Sequence, residues 1–77
     1  MTVVVKFFAS LRESLALDEG SVILDSASTV ADVWQQATRG AAMPPNTLMA
    51  VNAEYVNQTH PVKDGDEVAF FPPVSGG

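Results

Sequence analysis

Cysteine is absent from the 77-residue chain, and histidine occurs once, as His60. The first absence excludes a disulfide framework, a Cys-ligated zinc site, an iron–sulfur cluster and a thiol nucleophile. The second leaves too few imidazoles for a multi-His metal site. Basic residues are scarce too. Four Lys plus Arg against nine Asp plus Glu give a net charge of −5. That is the wrong sign for tracking a phosphate backbone or an anionic membrane, so neither nucleic acid nor membrane is expected as a partner. No apolar run reaches the roughly 18 residues of a membrane span. Nor does a basic stretch followed by an apolar segment open the chain, so no secretory signal is expected and the expected location is cytoplasmic. What remains for chemistry is carboxylates, hydroxyls, amides and the chain terminus.

Apolar residues make up 47% of the chain, enough for one core and one small domain. A buried catalytic pocket would consume volume that such a core can barely spare. The expectation is therefore a binding or carrier module and not an enzyme by itself.

Val3 to Phe8 is a β-branched and aromatic run and predicts a first strand. Alternation places Val3, Val5 and Phe7 inward and Lys6 with Phe8 outward. Leu11 and Leu15, four apart, predict a short helix over Ala9 to Leu17 that Asp18-Glu19-Gly20 stops. Ser21 to Leu24 predicts a second strand, paired with the first. Val30, Val33, Trp34 and Ala37 form a helical stripe, with Thr29 and Asp32 placed as a capping box and Gly40 as the stop. Trp34 reads as the core anchor of this main helix. Ala41 to Thr47 is a loop, Leu48 to Asn52 a third strand and Tyr55 to Asn57 a fourth. Lys63-Asp64-Gly65-Asp66 is a turn, and Glu67 to Phe71 is the last strand, ended by Pro72-Pro73. This order predicts an α+β fold of the β-grasp, or ubiquitin-like, type. A mixed sheet of about five strands is covered on one face by the main helix, and its other face is open. The domain is expected over 1–71, with 72–77 as a flexible tail.

Enzyme constellations are weak. Asp18-Glu19 and Asp64, Asp66, Glu67 pair carboxylates, but acidic residues in turns read as solvated. None of the serines sits in a G-x-S-x-G elbow, and no Gly-rich phosphate loop follows a strand. His60 precedes Pro61 in a loop and reads as a solvated side chain.

The terminus is different. From Val68 to Gly77 no side chain carries a charge. Pro72-Pro73 favours a stiff, extended exit, and Pro72 to Gly77 can span ~20 Å at about 3.3 Å per residue. A neutral arm of Pro72, Pro73, Val74 and Ser75, ending in Gly76 and Gly77 without Cβ atoms, suits insertion into a narrow tunnel on another protein. The one reactive group that it delivers there is the Gly77 carboxylate. Activation by adenylation would need a partner enzyme and ATP, because nothing in this chain can perform it.

Those residues carry a resemblance. Phe70-Phe71-Pro72-Pro73-Val74-Ser75-Gly76-Gly77, preceded by Asp64-Gly65-Asp66-Glu67-Val68, resembles the C-terminal signature of the small subunits of molybdopterin synthase, the MoaD-type sulfur carriers. Phe7-Phe8-Ala9-Ser10-Leu11-Arg12-Glu13 is similar to that family's first strand and helix, and Asn52 falls at a family-like position. The resemblance implies a β-grasp fold, no bound cofactor and no metal. It implies that Gly77 is adenylated by an E1-like, MoeB-type enzyme using ATP, then converted to a thiocarboxylate. The sulfur would pass to precursor Z in the active site of a MoaE-type large subunit, building the molybdopterin dithiolene. The assembly implied is a heterotetramer of two small and two large subunits. Other readings of the same terminus are a sulfur carrier for thiazole or cysteine synthesis, a ubiquitin-like modifier forming isopeptide bonds, and an interaction domain with an inert tail.

Parity adds a surface. In the last strand Val68 and Phe70 share one face, while Glu67, Ala69 and Phe71 share the other, which a solvated Glu67 marks as outward. Phe8, Tyr55 and Phe71 are thus expected to form an apolar patch that docks the large subunit and the activating enzyme. The acidic balance of the domain calls for partner surfaces that are basic around the entrance for the tail.

Overall fold

The computed structural model describes residues 1–73, so Val74, Ser75, Gly76 and Gly77 lie outside the described residues. β1 (Thr2–Phe7) is followed by α1 (Ala9–Leu15), β2 (Glu19–Ile23), β3 (Ser28–Thr29) and α2 (Val30–Thr38). Then come β4 (Leu48–Val51), β5 (Glu54–Val56), β6 (Pro61–Val62) and β7 (Glu67–Phe71). Five strands form a mixed sheet in the order β2-β1-β7-β4-β5, with β1 and β7 parallel at its centre and the other pairs antiparallel. This is the α+β, β-grasp architecture that the element order predicts.

The alternation in β1 and β7 sorts the core. Val3, Val5, Phe7, Val68 and Phe70 are buried, and α2 lays Val30, Val33 and Trp34 across them. Trp34 packs edge-on to Phe7 and Phe70, with ring centroids 5.8 and 4.9 Å apart, and its indole N–H donates to the Ala41 carbonyl at 2.7 Å. The core anchor thus also pins the loop after its own helix. At the start of α2 the Thr29–Asp32 capping box is formed in both directions.

Several boundaries differ from the sequence reading. α1 stops at Leu15, before Asp18-Glu19-Gly20, because Ala16 turns into the left-handed region (φ 54°) and its N–H closes onto Glu13. The chain is then free to begin β2 at Glu19, two residues early, with the Phe7 N–H donating to the Asp18 carbonyl at 2.8 Å. β4 ends at Val51, since Asn52 and Ala53 both have positive φ, the pattern of a two-residue hairpin turn. The short pair of β3 with β6 was not anticipated. It places the carbonyls of Gln58 and His60 where they accept from the N–H groups of Ala31 and Val30, both at 3.0 Å. These groups at the start of α2 have no partner inside the helix. His60 therefore acts through its backbone, and its side chain is exposed. Among the described residues no helix is long and apolar enough to cross a membrane.

Candidate functional site

The tail leaves from the centre of the sheet. β7 is paired on one side with β1 and on the other with β4, so both neighbours hold its last residues. Phe70 points into the core, stacking on Phe7 with centroids 5.6 Å apart, and its carbonyl accepts from the Phe8 N–H at 3.2 Å. Phe71 points the other way. Its ring lies parallel to that of Phe8, centroids 4.7 Å apart and planes 9° from parallel, and 6.3 Å from the Tyr55 ring. Phe8 is 40% and Tyr55 73% exposed, and Phe71 is half-buried between them. The three residues singled out from parity and exposure are thus brought together on the uncovered face, directly before Pro72 and Pro73.

Two further residues belong to this face and were missed. Leu48 is the register partner of Phe71, and Ala50 sits between Ala69 and Tyr55. Alternation in β4 carried the signal, since Leu48 and Ala50 have the opposite parity to the core residues Met49 and Val51, although Ala50 is itself buried beneath its neighbours. The small side chains of Ala50 and Ala69 keep the face low around the aromatic cluster.

Charge borders this patch on one side. Lys6 reaches Glu67 at 3.4 Å and Glu19 at 3.6 Å across the open face. Hydrogen bonding and charge attraction from Glu67, reinforced by Glu19, raise the Lys6 ammonium above the ordinary lysine value. Two carboxylates share one cation, so the margin of the aromatic patch remains net acidic.

At the opposite end of β7 one expectation fails. Asp66 was read as a solvated turn residue, but it is buried. Its Oδ1 accepts from the Asn52 side-chain amide at 2.9 Å and its Oδ2 from the Lys63 N–H at 2.8 Å. Asn52 also takes the Glu67 N–H at 3.0 Å through its side-chain oxygen. The Asn52 contact first, then the Lys63 N–H, lowers the Asp66 carboxyl below the ordinary aspartate value. This closed network fixes the start of β7 against the β4–β5 turn, and hence the register that delivers Phe70 inward and Phe71 outward. The other carboxylate of the turn, Asp64, accepts from the Thr2 N–H at 2.7 Å. The acidic residues of this turn are therefore engaged in holding strands.

Comparison with known proteins follows the same lines. A curated molybdopterin synthase sulfur carrier subunit from Escherichia coli (strain K12) is 40% identical over 82 residues, covering 95% of this chain and 96% of that protein. The crystal structure of SAMP1 from Haloferax volcanii matches with a TM-score of 0.84 at 26% identity, covering all of both chains. A putative molybdopterin converting factor, subunit 1, from Pyrococcus furiosus matches with a TM-score of 0.77 at 30% identity, covering 96% of this chain and 99% of that one. The ThiS family model matches residues 5–77, through the last strand and the Gly-Gly end, and the chain belongs to the ThiS family.

Proposed function

We propose that this protein is the sulfur-carrier subunit of a molybdopterin synthase. The observation that carries the reading is the junction of the tail with the sheet. A charge-free Pro72–Gly77 segment starts where Phe71, Phe8 and Tyr55 form an aromatic surface on the uncovered face. The near-full-length similarity to the Escherichia coli sulfur carrier subunit supports the same assignment.

In this reading the domain supplies recognition and the partners supply catalysis. The aromatic surface docks first on an E1-like, MoeB-type enzyme. There the Gly77 carboxylate attacks ATP, forming an acyl-adenylate with loss of pyrophosphate. Hydrosulfide-level sulfur then attacks the Gly77 carbonyl and displaces AMP, leaving the terminal thiocarboxylate. The same surface next docks on a MoaE-type large subunit, where the thiocarboxylate sulfur bonds to precursor Z and water cleaves the Gly77 C–S bond, returning the carboxylate. The protein itself binds no cofactor and no metal. The acidic margin of Glu19 and Glu67 fits partners with a basic rim around the tail entrance.

The test is mass spectrometry of the protein incubated with activating enzyme, ATP and a sulfur source. The expected result is a mass gain equal to exchange of one oxygen for sulfur, abolished by deletion of Gly77. An unchanged mass in the presence of an active partner overturns the proposal. A second reading, a modifier conjugated to lysines, is favoured by the likeness to SAMP1. Conjugates of higher mass in a lysate, formed by the intact protein and lost on deletion of Gly77, would support it.

A further inference from the structure

β2 is the outermost strand of the five-stranded sheet, and among the described residues it pairs with β1 alone. Which of its backbone groups are free follows from the register. Met1 and Leu24 exchange both backbone hydrogen bonds, at 2.7 and 2.8 Å, and the Phe7 N–H donates to the Asp18 carbonyl. Antiparallel pairs alternate, so Val22 and Gly20 also bond to β1, while the N–H and C=O groups of Glu19, Ser21 and Ile23 point away from the sheet. Edge strands are usually blunted by proline, lysine, a bulge or short length. β5, at the other edge, is three residues long. β2 is five residues long and has neither proline nor lysine, and its Ile23 is 75% exposed.

A groove runs behind this edge. Gly20 shares the inner face with Val22, and an added Cβ there would meet nothing within 4 Å. The missing side chain opens a cavity of about 200 Å³ between β2 and α2, walled by Val5, Phe7, Leu17, Val22 and Ala37. Toward Ile23 a second, polar hollow lies between β2 and α2, lined in part by Asp25 and Asp32. The charges are unevenly balanced along this edge. Asp18 has Arg12 at 3.6 Å and Glu19 has Lys6 at 3.6 Å, whereas no ion pair among the described residues engages Asp25.

We propose that the β2 edge and the β2–α2 groove bind an extended segment of another protein as an added strand. An apolar side chain of that segment fills the cavity beside Gly20, and a Lys or Arg meets Asp25. Main-chain bonds to Glu19, Ser21 and Ile23 give affinity, and the cavity with its acidic end gives selectivity. The acidic end selects a basic-flanked partner over a second copy of this chain, which would bring a further charge of −5 to the same edge. The site faces sideways from the sheet and meets the open face that carries Phe8, Tyr55 and Phe71 only at Glu19, whose side chain pairs there with Lys6.

The experiment is a titration of the full-length, ¹⁵N-labelled protein with a blocked peptide of sequence Lys-Lys-Val-Ile-Val-Ile, followed by NMR. Saturable shifts are expected at the amides of Glu19, Ser21 and Ile23, with Phe8, Tyr55 and Phe71 unmoved. Ser21→Pro removes a donor that β1 does not use and should weaken binding about tenfold. Gly20→Val fills the cavity and should weaken binding by a similar factor with Tm unchanged or raised, which keeps the test decisive if Ser21→Pro lowers Tm. The proposal is overturned by equal binding of the peptide with both Lys replaced by Glu. Shifts confined to the Phe8–Tyr55–Phe71 face, no binding at millimolar peptide, or concentration-dependent β2 shifts without peptide would overturn it too.

Discussion

The rings of Phe8 and Phe71 lie 4.7 Å apart and 9° from parallel, joining the residue that follows β1 to the last residue of β7. The contact works because β1 and β7 are parallel neighbours, which brings their C-terminal ends to the same side of the sheet. A Phe-Phe pair stands at the C-terminal end of each strand, Phe8 just past β1, and in each pair the first ring is core and the second is surface. A tail starting at Pro72 therefore leaves from a rigid aromatic platform.

Phe71→Ala should separate docking from folding. The lost ring is half-buried on the open face, and the lost stack is worth about 1 kcal/mol to the fold. At the centre of an interface the same truncation costs about 2 kcal/mol or more, a weakening of roughly thirtyfold. Calorimetry against the large subunit and a thermal melt of the free protein check this together. A large drop in Tm with unchanged affinity would reverse the assignment.

Phe70→Ala, one residue earlier, should behave in the opposite way. Phe70 is fully buried and packs on both Phe7 and Trp34. Truncating such a ring costs about 3–5 kcal/mol, a large part of the stability of a domain of this size. Urea denaturation should show a sharply lower midpoint. A Phe70→Ala midpoint equal to that of Phe71→Ala would mean that the two faces of β7 are misassigned.

The elements that sequence made legible are those where pattern and burial coincide. Period-two alternation in β1 and β7 and the Val30-Val33-Trp34 stripe specified the sheet, the helix and both faces. The Thr29–Asp32 box marked the start of α2. Turn chemistry was read less well. Ala16 and Ala53 take left-handed backbone although alanine carries no signal for it, so the end of α1 was set two residues late and the facing ends of β4 and β5 one residue late. Asp66 looked like any acidic turn residue, because its burial depends on Asn52, 14 positions away. The two-residue strands β3 and β6 are too short for a periodic signal. The ten uncharged residues ending in Gly-Gly are a pattern in composition that needs no fold to be seen, and the last four of them lie outside the described residues.

Ala53→Gly should stabilise the protein. Asn52 and Ala53 have φ of 50° and 71°, and such a turn favours Asn followed by Gly. A left-handed alanine costs about 1–2 kcal/mol that glycine avoids, and the extra freedom of glycine in the unfolded chain offsets part of the gain. The expected net change is about 0.5–1 kcal/mol, a rise in Tm of several degrees for a domain of this length. Calorimetric melts of the two proteins decide it, and a lower Tm for the variant would show that the turn is held without strain.

Acid should selectively weaken the Asn52–Asp66 network. The Asn52 amide and the Lys63 N–H lower the Asp66 carboxyl below its unfolded value of about 3.9. A group depressed in the folded state contributes its full stability above the unfolded value, and loses it as pH falls through the folded one. Asp66→Ala removes this contribution and leaves the Lys63 N–H and one Asn52 donor without their partner, so it should cost about 1–3 kcal/mol near neutral pH. The Tm difference between wild type and Asp66→Ala should then hold from neutral pH to about pH 5 and narrow below about pH 4. Asn52→Ala removes the larger cause, so carbon-detected NMR titration of the Asp66 carboxyl should show its midpoint moving up toward the unfolded value. A Tm difference that stays constant into strong acid, or a midpoint unmoved by Asn52→Ala, would mean that the side-chain amide does not stabilise the carboxylate. The register of β7 would then rest on its strand partners alone.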